Sequence, residues 1–428
     1  MKIPFSLILL AAALCAQAPV PLLKTGQPVN WWFVFKFNAQ SGPSCGGAQR
    51  ACTFGGTVQP YNLFGQQFAF ASSADPTLQQ GIGCVGDSTT DPLGATFDQV
   101  YNGKFFYVLW NDQFYGDPIA TQFAPAGHSK GMLAWNQEGD GIVLQVSTPS
   151  WPASGSSVTP RKTDGNTLGC ITDNNVLVSQ HFFALRLDKA DVILVLNALA
   201  NASVVTDPTN LQIVNNGGPA DIQDLVRGLG KLSNSKVPLM TKLSSNIVLI
   251  SKPSGLDVPP WQMVSALLGG EPLRVASWWA APTIPTTSLG TPITCWDPTL
   301  GKPGAVEIAT SGTWQGSTIG FEGVPEPQGN HTKIGITAAF PISSAPGEIR
   351  ERGMLMSRRC GSTQPPPDCD SLRRLPIVIF GDMNQQGSLS GPACNSSQNG
   401  RGGLFFAVKD TQLFRSVRDL LQGQTAPQ

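Results

Sequence analysis

The sequence is poor in charge and in histidine. Only 13% of its 428 residues are charged, and 28 basic residues balance 28 acidic ones, so the formal net charge is zero. Net charge therefore gives no evidence for a polyanionic partner, because binding to phosphate backbones without sequence preference is mainly electrostatic. Only three histidines are present, and no Cys-x-x-Cys occurs. The usual spacing of a zinc site is therefore missing as well.

Long apolar segments are also missing after the first residues. Residues 1–18, MKIPFSLILLAAALCAQA, combine a positive Lys2, a short apolar run and small residues, which is the pattern of a cleaved signal peptide. No later segment offers the roughly 18 uninterrupted apolar residues of a membrane span. The sequence thus predicts a soluble, exported protein that is secreted or periplasmic, or that acts in an acidic lumenal compartment.

The nine cysteines favour disulfides over metal binding. Removal of the leader removes Cys15 and leaves eight, an even number in an exported chain. The sequence does not determine the pairing, but Cys45 with Cys52 and Cys360 with Cys369 would close short local loops. We expect neither a metal nor another cofactor.

The 46 glycines and 35 prolines indicate a loop-rich globular fold. Runs rich in Val, Ile, Phe and Trp predict strands at residues 30–37, 104–112, 141–148, 174–187, 245–252 and 375–382. Apolar residues three and four apart predict helices at residues 221–232 and 411–422. A turn-rich stretch at 206–220 is the best candidate for a boundary between an N-terminal lobe, 19–220, and a C-terminal lobe, 221–428.

Two of the three histidines stand two places before a lysine. GHSKGMLAW contains His128 and Lys130, and NHTKIGIT contains His331 and Lys333, one pair on each side of the candidate boundary. On a strand, residues i and i+2 point to the same face, so each pair would aim an imidazole and an ammonium at one place. If the pairs meet, the cluster suits phosphodiester chemistry without a metal. The alternative interpretation is that both histidines are surface residues beside ordinary solvated lysines.

Other segments accompany these pairs along the chain. QEGDGIVLQVSTPSWP follows the first pair, and GQPVNWWFVFKF and YVLWNDQ precede it. FGDMNQQGSLS, NGRGGLFF and FRSVRDLL follow the second pair. In this order, from residue 26 to the C-terminus, the segments resemble the deoxyribonuclease II family, which belongs to the phospholipase D superfamily.

The resemblance implies both a fold and an activity. The fold would be α/β, with two phospholipase-D-like lobes related by a pseudo-twofold axis and mixed β-sheets flanked by helices. The activity would be that of an endonuclease that hydrolyses DNA, with double-stranded DNA as the expected substrate. It would work at acid pH without a divalent metal and leave 3′-phosphate and 5′-hydroxyl ends.

The resemblance also places the site residues. His128, Lys130, His331 and Lys333 take the four motif positions. We assign His128 as the nucleophile and His331 as the general acid, and the sequence leaves the reverse order open.

Four further residues are expected to bind substrate or to support the residues that do. Asn384, in the family's Gly-Asp-Met-Asn segment, would donate an amide hydrogen to the phosphate, and Asp382 would orient a neighbour. Gln145 stands at the spacing of the superfamily's polar phosphate-side residue. Arg401 matches the family's arginine, and a structural role in its loop is an equal alternative.

The sequence departs from the superfamily five residues after each motif lysine. Aspartate is expected there, but Trp135 and Ala338 occupy these positions. An acidic residue that orients either histidine must therefore come from elsewhere or be absent. His181 has no counterpart in the family pattern, and we predict that it is a core residue.

Two other functions remain open at this point. One is a phospholipase-D-like phosphodiesterase on lipid or nucleotide substrates, for which SWWAAPTIP at 277–285 would supply an apolar entrance. The other is a non-catalytic DNA-binding relative. Three Asn-x-Ser/Thr sequons begin at Asn201, Asn330 and Asn395, and a glycan on Asn330 would crowd the site beside His331.

Overall fold

The computed structural model describes residues 17–42, 67–86, 88–114, 125–149, 151, 155–159, 177–338 and 376–428. Most of the predicted leader and both local cysteine pairs lie outside the described residues. Within these ranges Cys295 and Cys394 form a disulfide, and Cys84 is disulfide-bonded as well. No helix in the described part of the chain is long and apolar enough to cross a membrane.

The first half of the chain forms an eight-stranded sheet. Its elements are β1 (Trp31–Lys36), β2 (Phe68–Ser72), β3 (Gln79–Gln80), α1 (Pro92–Tyr101), β4 (Phe106–Asn111), β5 (Lys130–Trp135), β6 (Gly141–Val146), β7 (Gln180–Leu187), α2 (Lys189–Asn201) and β8 (Val214–Asn215). The spatial order is β3-β2-β1-β7-β6-β5-β4-β8. All neighbouring strands are antiparallel. The four strands predicted in this half are confirmed, although the last begins only at Gln180.

The second half forms a seven-stranded sheet and a separate hairpin. Its elements are α3 (Ala220–Arg227), β9 (Leu239–Lys242), β10 (Val248–Lys252), α4 (Pro260–Leu267), β11 (Leu273–Ala276), β12 (Val306–Ile308), β13 (Ser311–Trp314), β14 (Ser317–Gly320), β15 (Ile334–Thr337), β16 (Ile377–Gly381), β17 (Gly403–Lys409) and α5 (Thr411–Leu420). The order of the sheet is β12-β11-β15-β16-β17-β10-β9, and only β11 and β12 run parallel. The protein is therefore α/β, as predicted, with one antiparallel and one mixed sheet.

Five strands follow the same order in both sheets. The first sheet contains β1-β7-β6-β5-β4, and the second contains β10-β17-β16-β15-β11. The helices correspond too, because α1 and α4 precede the last strand of each set, and α2 and α5 follow β7 and β17. This correspondence is compatible with two lobes related by a pseudo-twofold axis.

The two sheets face each other across an aromatic core. Phe33 on β1 and Phe183 on β7 both stack on Phe380 of β16, with ring centroids 4.6 Å apart in each case. A fully buried aromatic side chain of this kind contributes about 1.5–3 kcal/mol to folding. On the outer faces, the Trp32 indole donates to Thr96 of α1 at 3.0 Å, and Trp261 of α4 contacts Phe405 of β17 edge-to-face, with ring centroids 5.2 Å apart. Helices thus cover the sheets on both sides and leave the strand ends to form a site.

One of the two predicted helices is present over nearly its full length, and the other ends early. The prediction of a helix at 411–422 is confirmed by α5, whose N-cap Asp410 accepts from the main-chain N–H of Gln412 and Leu413. The helix predicted at 221–232 stops at Arg227. Gly230 follows with a φ of 74°, in the left-handed region that glycine favours, so the chain turns before a further helical turn can form.

Candidate active site

The two His-x-Lys motifs meet where strands of the two sheets begin. Just before β5, the main-chain N–H of His128 donates to Gly402 O, just before β17, at 2.8 Å. Just before β15, the main-chain N–H of His331 donates to Ser179 O, just before β7, at 2.8 Å. The prediction that each motif lies wholly on a strand is therefore wrong, because these donors bond across to the opposite sheet instead of to a neighbouring strand.

Both lysines are buried beside both histidines. Lys130 and Lys333 are each only 3% exposed, whereas the histidines are half-buried. Burial is the main cause that lowers the pKa of each histidine, and the lysine of its own pair is the next. Each histidine also feels the lysine of the other pair. The four motif residues therefore form one electrostatic cluster.

The imidazole of His128 is oriented by a main-chain carbonyl. Its Nδ1 lies 2.7 Å from Asp382 O. A carbonyl oxygen only accepts, so Nδ1 carries the hydrogen, and in the neutral ring Nε2 presents a lone pair. This carbonyl takes the place of the acidic partner that the sequence lacks five residues after Lys130.

The imidazole of His331 is oriented in the opposite sense. Ser147 Oγ accepts the main-chain N–H of His181 at 2.8 Å and donates to Gln180 Oε1 at 2.6 Å. The Gln180 amide is thereby fixed with its Nε2 facing His331 Nδ1, at 3.4 Å. Because an amide NH₂ only donates, Nδ1 accepts, and Nε2 of the neutral ring carries the hydrogen. In the neutral rings, Nε2 of His128 therefore presents a lone pair and Nε2 of His331 presents a hydrogen.

An aromatic ring also contacts His331. The indole of Trp278 lies edge-to-face against the imidazole, with ring centroids 4.4 Å apart. Trp278 is half-buried and follows β11. The apolar segment at 277–285 is therefore part of this site.

A buried ion cluster holds Lys130. Its ammonium hydrogen-bonds to Asp112 Oδ1, and Arg401 donates to Asp112 Oδ2 at 2.9 Å. Arg401 also donates to the carbonyls of Ala126 and Gly127 at 2.9 and 3.0 Å. Burial alone would raise the pKa of Asp112, but the charges of Lys130, His128 and Arg401 hold it well below its usual range. The guanidinium thus fixes the segment before the first motif.

The Lys333 ammonium is less engaged. Among the described residues no hydrogen-bond acceptor contacts its Nζ, although its main-chain N–H donates to His181 Nδ1 at 3.1 Å. Burial and the charge of Lys130 lower its pKa. His181 itself is fully buried and stacks near Phe380, which confirms the prediction of a core position.

Asp382 lies behind the first motif. Its carboxyl accepts from Ser129 Oγ at 2.5 Å, from Leu404 N at 2.9 Å and from Gln145 Nε2 at 3.0 Å. Burial raises the pKa of Asp382 to about 7, against these hydrogen bonds and the charge of Lys130. The side chain is therefore expected to carry a proton in acid, whereas the main-chain carbonyl that accepts from His128 does not titrate.

The remaining predicted residues lie near this cluster. Gln145 Nε2 also donates to Leu404 O at 3.2 Å, and Gln145 Oε1 has no partner in the described residues. Asn384 Nδ2 donates to Gln386 Oε1 at 2.9 Å, and its buried Oδ1 has no partner within the same ranges. The amide hydrogen that Asn384 was predicted to offer to phosphate is thus partly committed to Gln386.

The sequons differ in accessibility. Asn330 is fully buried beside His331, and Asn201 is only 8% exposed, so neither amide is open to a glycan. Asn395 is exposed. The site is therefore not crowded by a glycan on Asn330.

Replacing Asp112 with asparagine is expected to lower the free energy of unfolding by about 3–5 kcal/mol, because Lys130 would keep a buried, uncompensated charge. Urea unfolding at pH 5, where the Asp112 carboxyl stays ionised, measures the change. Asp224→Asn is the matched control, since the Asp224–Arg227 pair is exposed and should leave the midpoint unchanged. Equal midpoints for both variants would contradict a structural role for the buried cluster.

Comparison with known proteins assigns the chain to a family. The sequence model of the family described as Deoxyribonuclease II matches residues 21–287. Deoxyribonuclease-2-alpha of Rattus norvegicus is 29% identical over 181 residues, which is 40% of this chain and 47% of that protein. The Mus musculus protein of the same name is 27% identical over 216 residues, 44% of this chain and 55% of that protein. The chain belongs to the deoxyribonuclease II family.

The matches are partial in two respects. The chain spans about half the length of the relatives from rat and mouse. The family match includes His128 and Lys130 but ends before His331 and Lys333. The inclusion of His331 and Lys333 in the site therefore rests on the geometry described above and not on the family match.

Proposed function

We propose that this protein is an endonuclease that hydrolyses DNA phosphodiester bonds without a metal ion. His128 acts as the nucleophile, and His331 acts as the general acid. The observation that supports this most is the opposite hydrogen bonding of the two Nδ1 atoms. Nδ1–H of His128 faces a carbonyl, which leaves a lone pair on Nε2 for attack, whereas Nδ1 of His331 faces an amide donor, so neutral His331 has no lone pair on Nε2 and is the weaker candidate for the nucleophile.

The proposed reaction has two steps. Nε2 of neutral His128 attacks phosphorus, the bond to the 5′ oxygen breaks, and His331, protonated to the imidazolium, passes a proton from its Nε2 to that oxygen and becomes neutral. Water, deprotonated by the now basic His331, then displaces His128 from phosphorus. The products are a 5′-hydroxyl and a 3′-phosphate end, and both histidines regain their starting states.

The lysines offset the charge that develops on the non-bridging oxygens. Lys333 is the better placed, because no acceptor among the described residues engages its ammonium. The ammonium of Lys130 is already ion-paired with the Asp112 carboxylate. Gln145 and Asn384 are weaker candidates for phosphate contacts, because their amide N–H groups already donate within the protein.

The lowered pKa of the histidines sets the direction of the pH dependence. A lowered pKa keeps His128 neutral, and therefore nucleophilic, in acid. The general acid needs its proton, and burial and three lysines lower the pKa of His331. A bound phosphate acts in the opposite direction. Activity is therefore expected in acid and should fall as the pH rises.

The direct test uses supercoiled plasmid with EDTA. At pH 5 the protein is expected to nick and linearise the plasmid, and the rate should fall by at least about tenfold by pH 8, where an imidazole of ordinary pKa is neutral. Agarose gels measure both rates. An optimum above pH 8, or a need for added metal, would contradict the proposal. Intact plasmid with hydrolysis of a lipid or nucleotide diester would favour the phosphodiesterase, and binding without cutting would favour a non-catalytic relative.

We also infer export through a leader at residues 1–18, and two lobes that divide near residue 220. The disulfide between Cys295 and Cys394 supports export, since such bonds persist in oxidising compartments. The first sheet ends at Asn215 and the second begins at Leu239, which supports the proposed division. Residues 19–220 and 221–428 would each supply one His-x-Lys pair.

A further inference from the structure

Two further buried lysines are assigned no step in the proposed reaction, although the charge of one of them, Lys36, helps to lower the pKa of His331. Lys36 and Lys252 are both fully buried. Lys36 ends β1 and pairs with Gln180, the first residue of β7. Lys252 ends β10 and pairs with Gly403, the first residue of β17. Because β1 and β7 hold the places in the first sheet that β10 and β17 hold in the second, the two lysines are equivalent.

Both ammonium groups make equivalent contacts. Lys36 Nζ donates to Val178 O at 2.6 Å, two residues before β7. Lys252 Nζ donates to Arg401 O at 2.9 Å, two residues before β17. Each lysine also donates to the carbonyl of the residue that follows it, at 3.3 and 3.4 Å. The same device therefore fixes the chain where it enters β7 and β17.

The next carbonyl along each segment seats a motif histidine of the opposite half. Ser179 O accepts the main-chain N–H of His331, and Gly402 O accepts that of His128. We propose that the two buried lysines are positioning residues of the active site. Lys36 fixes the segment that seats His331, and Lys252 fixes the segment that seats His128. The roles given to these histidines rest on the function proposed above.

The chemistry of the ammonium group explains its use here. Lys252 Nζ also donates to Leu256 O at 2.5 Å and to Asn399 O at 2.7 Å, so one group gathers carbonyls from separate segments. A charged ammonium offers three donors, more than any neutral side chain of this length supplies from one atom. Burial lowers the pKa of Lys252 to about 7, so the ammonium is fully charged in acid. Burying such a group is costly unless it is hydrogen-bonded, and main-chain carbonyls meet this condition at the same place in both halves.

A substrate with a good leaving group separates the two roles. The 5′ oxygen of DNA needs a proton as it leaves, whereas p-nitrophenolate leaves without one. With thymidine 3′-(p-nitrophenyl phosphate), the first turnover therefore needs the nucleophile but not the general acid. Stopped-flow absorbance measures nitrophenolate release in that turnover, and plasmid nicking measures the reaction on DNA.

Lys36→Met is expected to slow the cutting of DNA by on the order of 100-fold, the effect of displacing a catalytic group by about 1 Å. Its first turnover on the nitrophenyl ester should stay close to that of the wild type. Lys252→Met is expected to slow both reactions by similar factors. Lys242→Met, at the exposed end of β9, is the matched control and should change neither rate.

The wild type is measured in the same assays. If it cuts neither substrate, the proposed function and the positioning roles are both wrong. If the wild type cuts both substrates, the proposed function stands. The positioning roles are then wrong if Lys36→Met keeps the wild-type rate on DNA, or if it loses both rates by the same factor. The ratio of two rates in one preparation does not depend on the folded fraction, so Lys36→Met decides the question even if Lys252→Met does not fold.

Discussion

Alanine in place of His128 is expected to abolish the cutting of DNA, with kcat lowered on the order of 10⁴-fold or more, as when other nucleophiles are removed. The reason is that His128 Nε2 holds the lone pair that would attack phosphorus, since its Nδ1 faces Asp382 O. Plasmid nicking at pH 5 and nitrophenolate release from the small ester should be lost together. KM for DNA should change little, because the lysines remain.

The control for His128→Ala is its stability. The side chain is half-buried and its contact with Asp382 is a single hydrogen bond, so thermal unfolding should occur within a few degrees of the wild type. A folded variant that still cuts DNA within about tenfold of the wild-type rate would remove His128 from the mechanism.

Alanine in place of His331 is expected to give a split result. Cutting of DNA should fall by about 10²–10⁴-fold, the usual loss when a general acid is removed. On the nitrophenyl ester, the protein should release one equivalent of nitrophenolate rapidly and then stall. The first step needs no proton donor, whereas hydrolysis of the phosphohistidine lacks its base.

The stalled adduct locates the nucleophile. After an alkaline quench, which preserves the nitrogen–phosphorus bond, peptide mass should place a nucleotidyl group on His128. A burst from His128→Ala instead, with the adduct on His331, would show that the two roles are reversed. No burst from either variant would exclude a covalent intermediate.

Six of the strands were predicted from the sequence, and the meeting of the motifs was one of two interpretations that it left open. Segments such as residues 30–37 and 141–148 carry strong local β signals, and the structure confirms them. The repeated spacing and the order of the flanking segments favoured the convergence of His128 and His331 over the alternative of two surface histidines. Local patterns therefore gave both the elements and the principal candidates.

The supporting residues were not predictable, because their contacts depend on the order of strands in the sheets. Asp112 was noted only as the end of a strand, and its partner Arg401 is 289 residues away. Gln180 reaches His331 across 151 residues. The available signal for Lys36 and Lys252 was a lysine at the end of a mainly apolar strand. The pairing of Cys295 with Cys394, 99 residues apart, was not predictable for the same reason.

The exchange of main-chain hydrogen bonds between the halves constrains how this chain can evolve. A gene fragment that encodes one half specifies a histidine without the carbonyl that holds it. Recombination must therefore transmit both halves together. We expect insertions and deletions to be harmful in the short segments that enter β7 and β17, because one extra residue there would shift the carbonyl that holds a motif histidine.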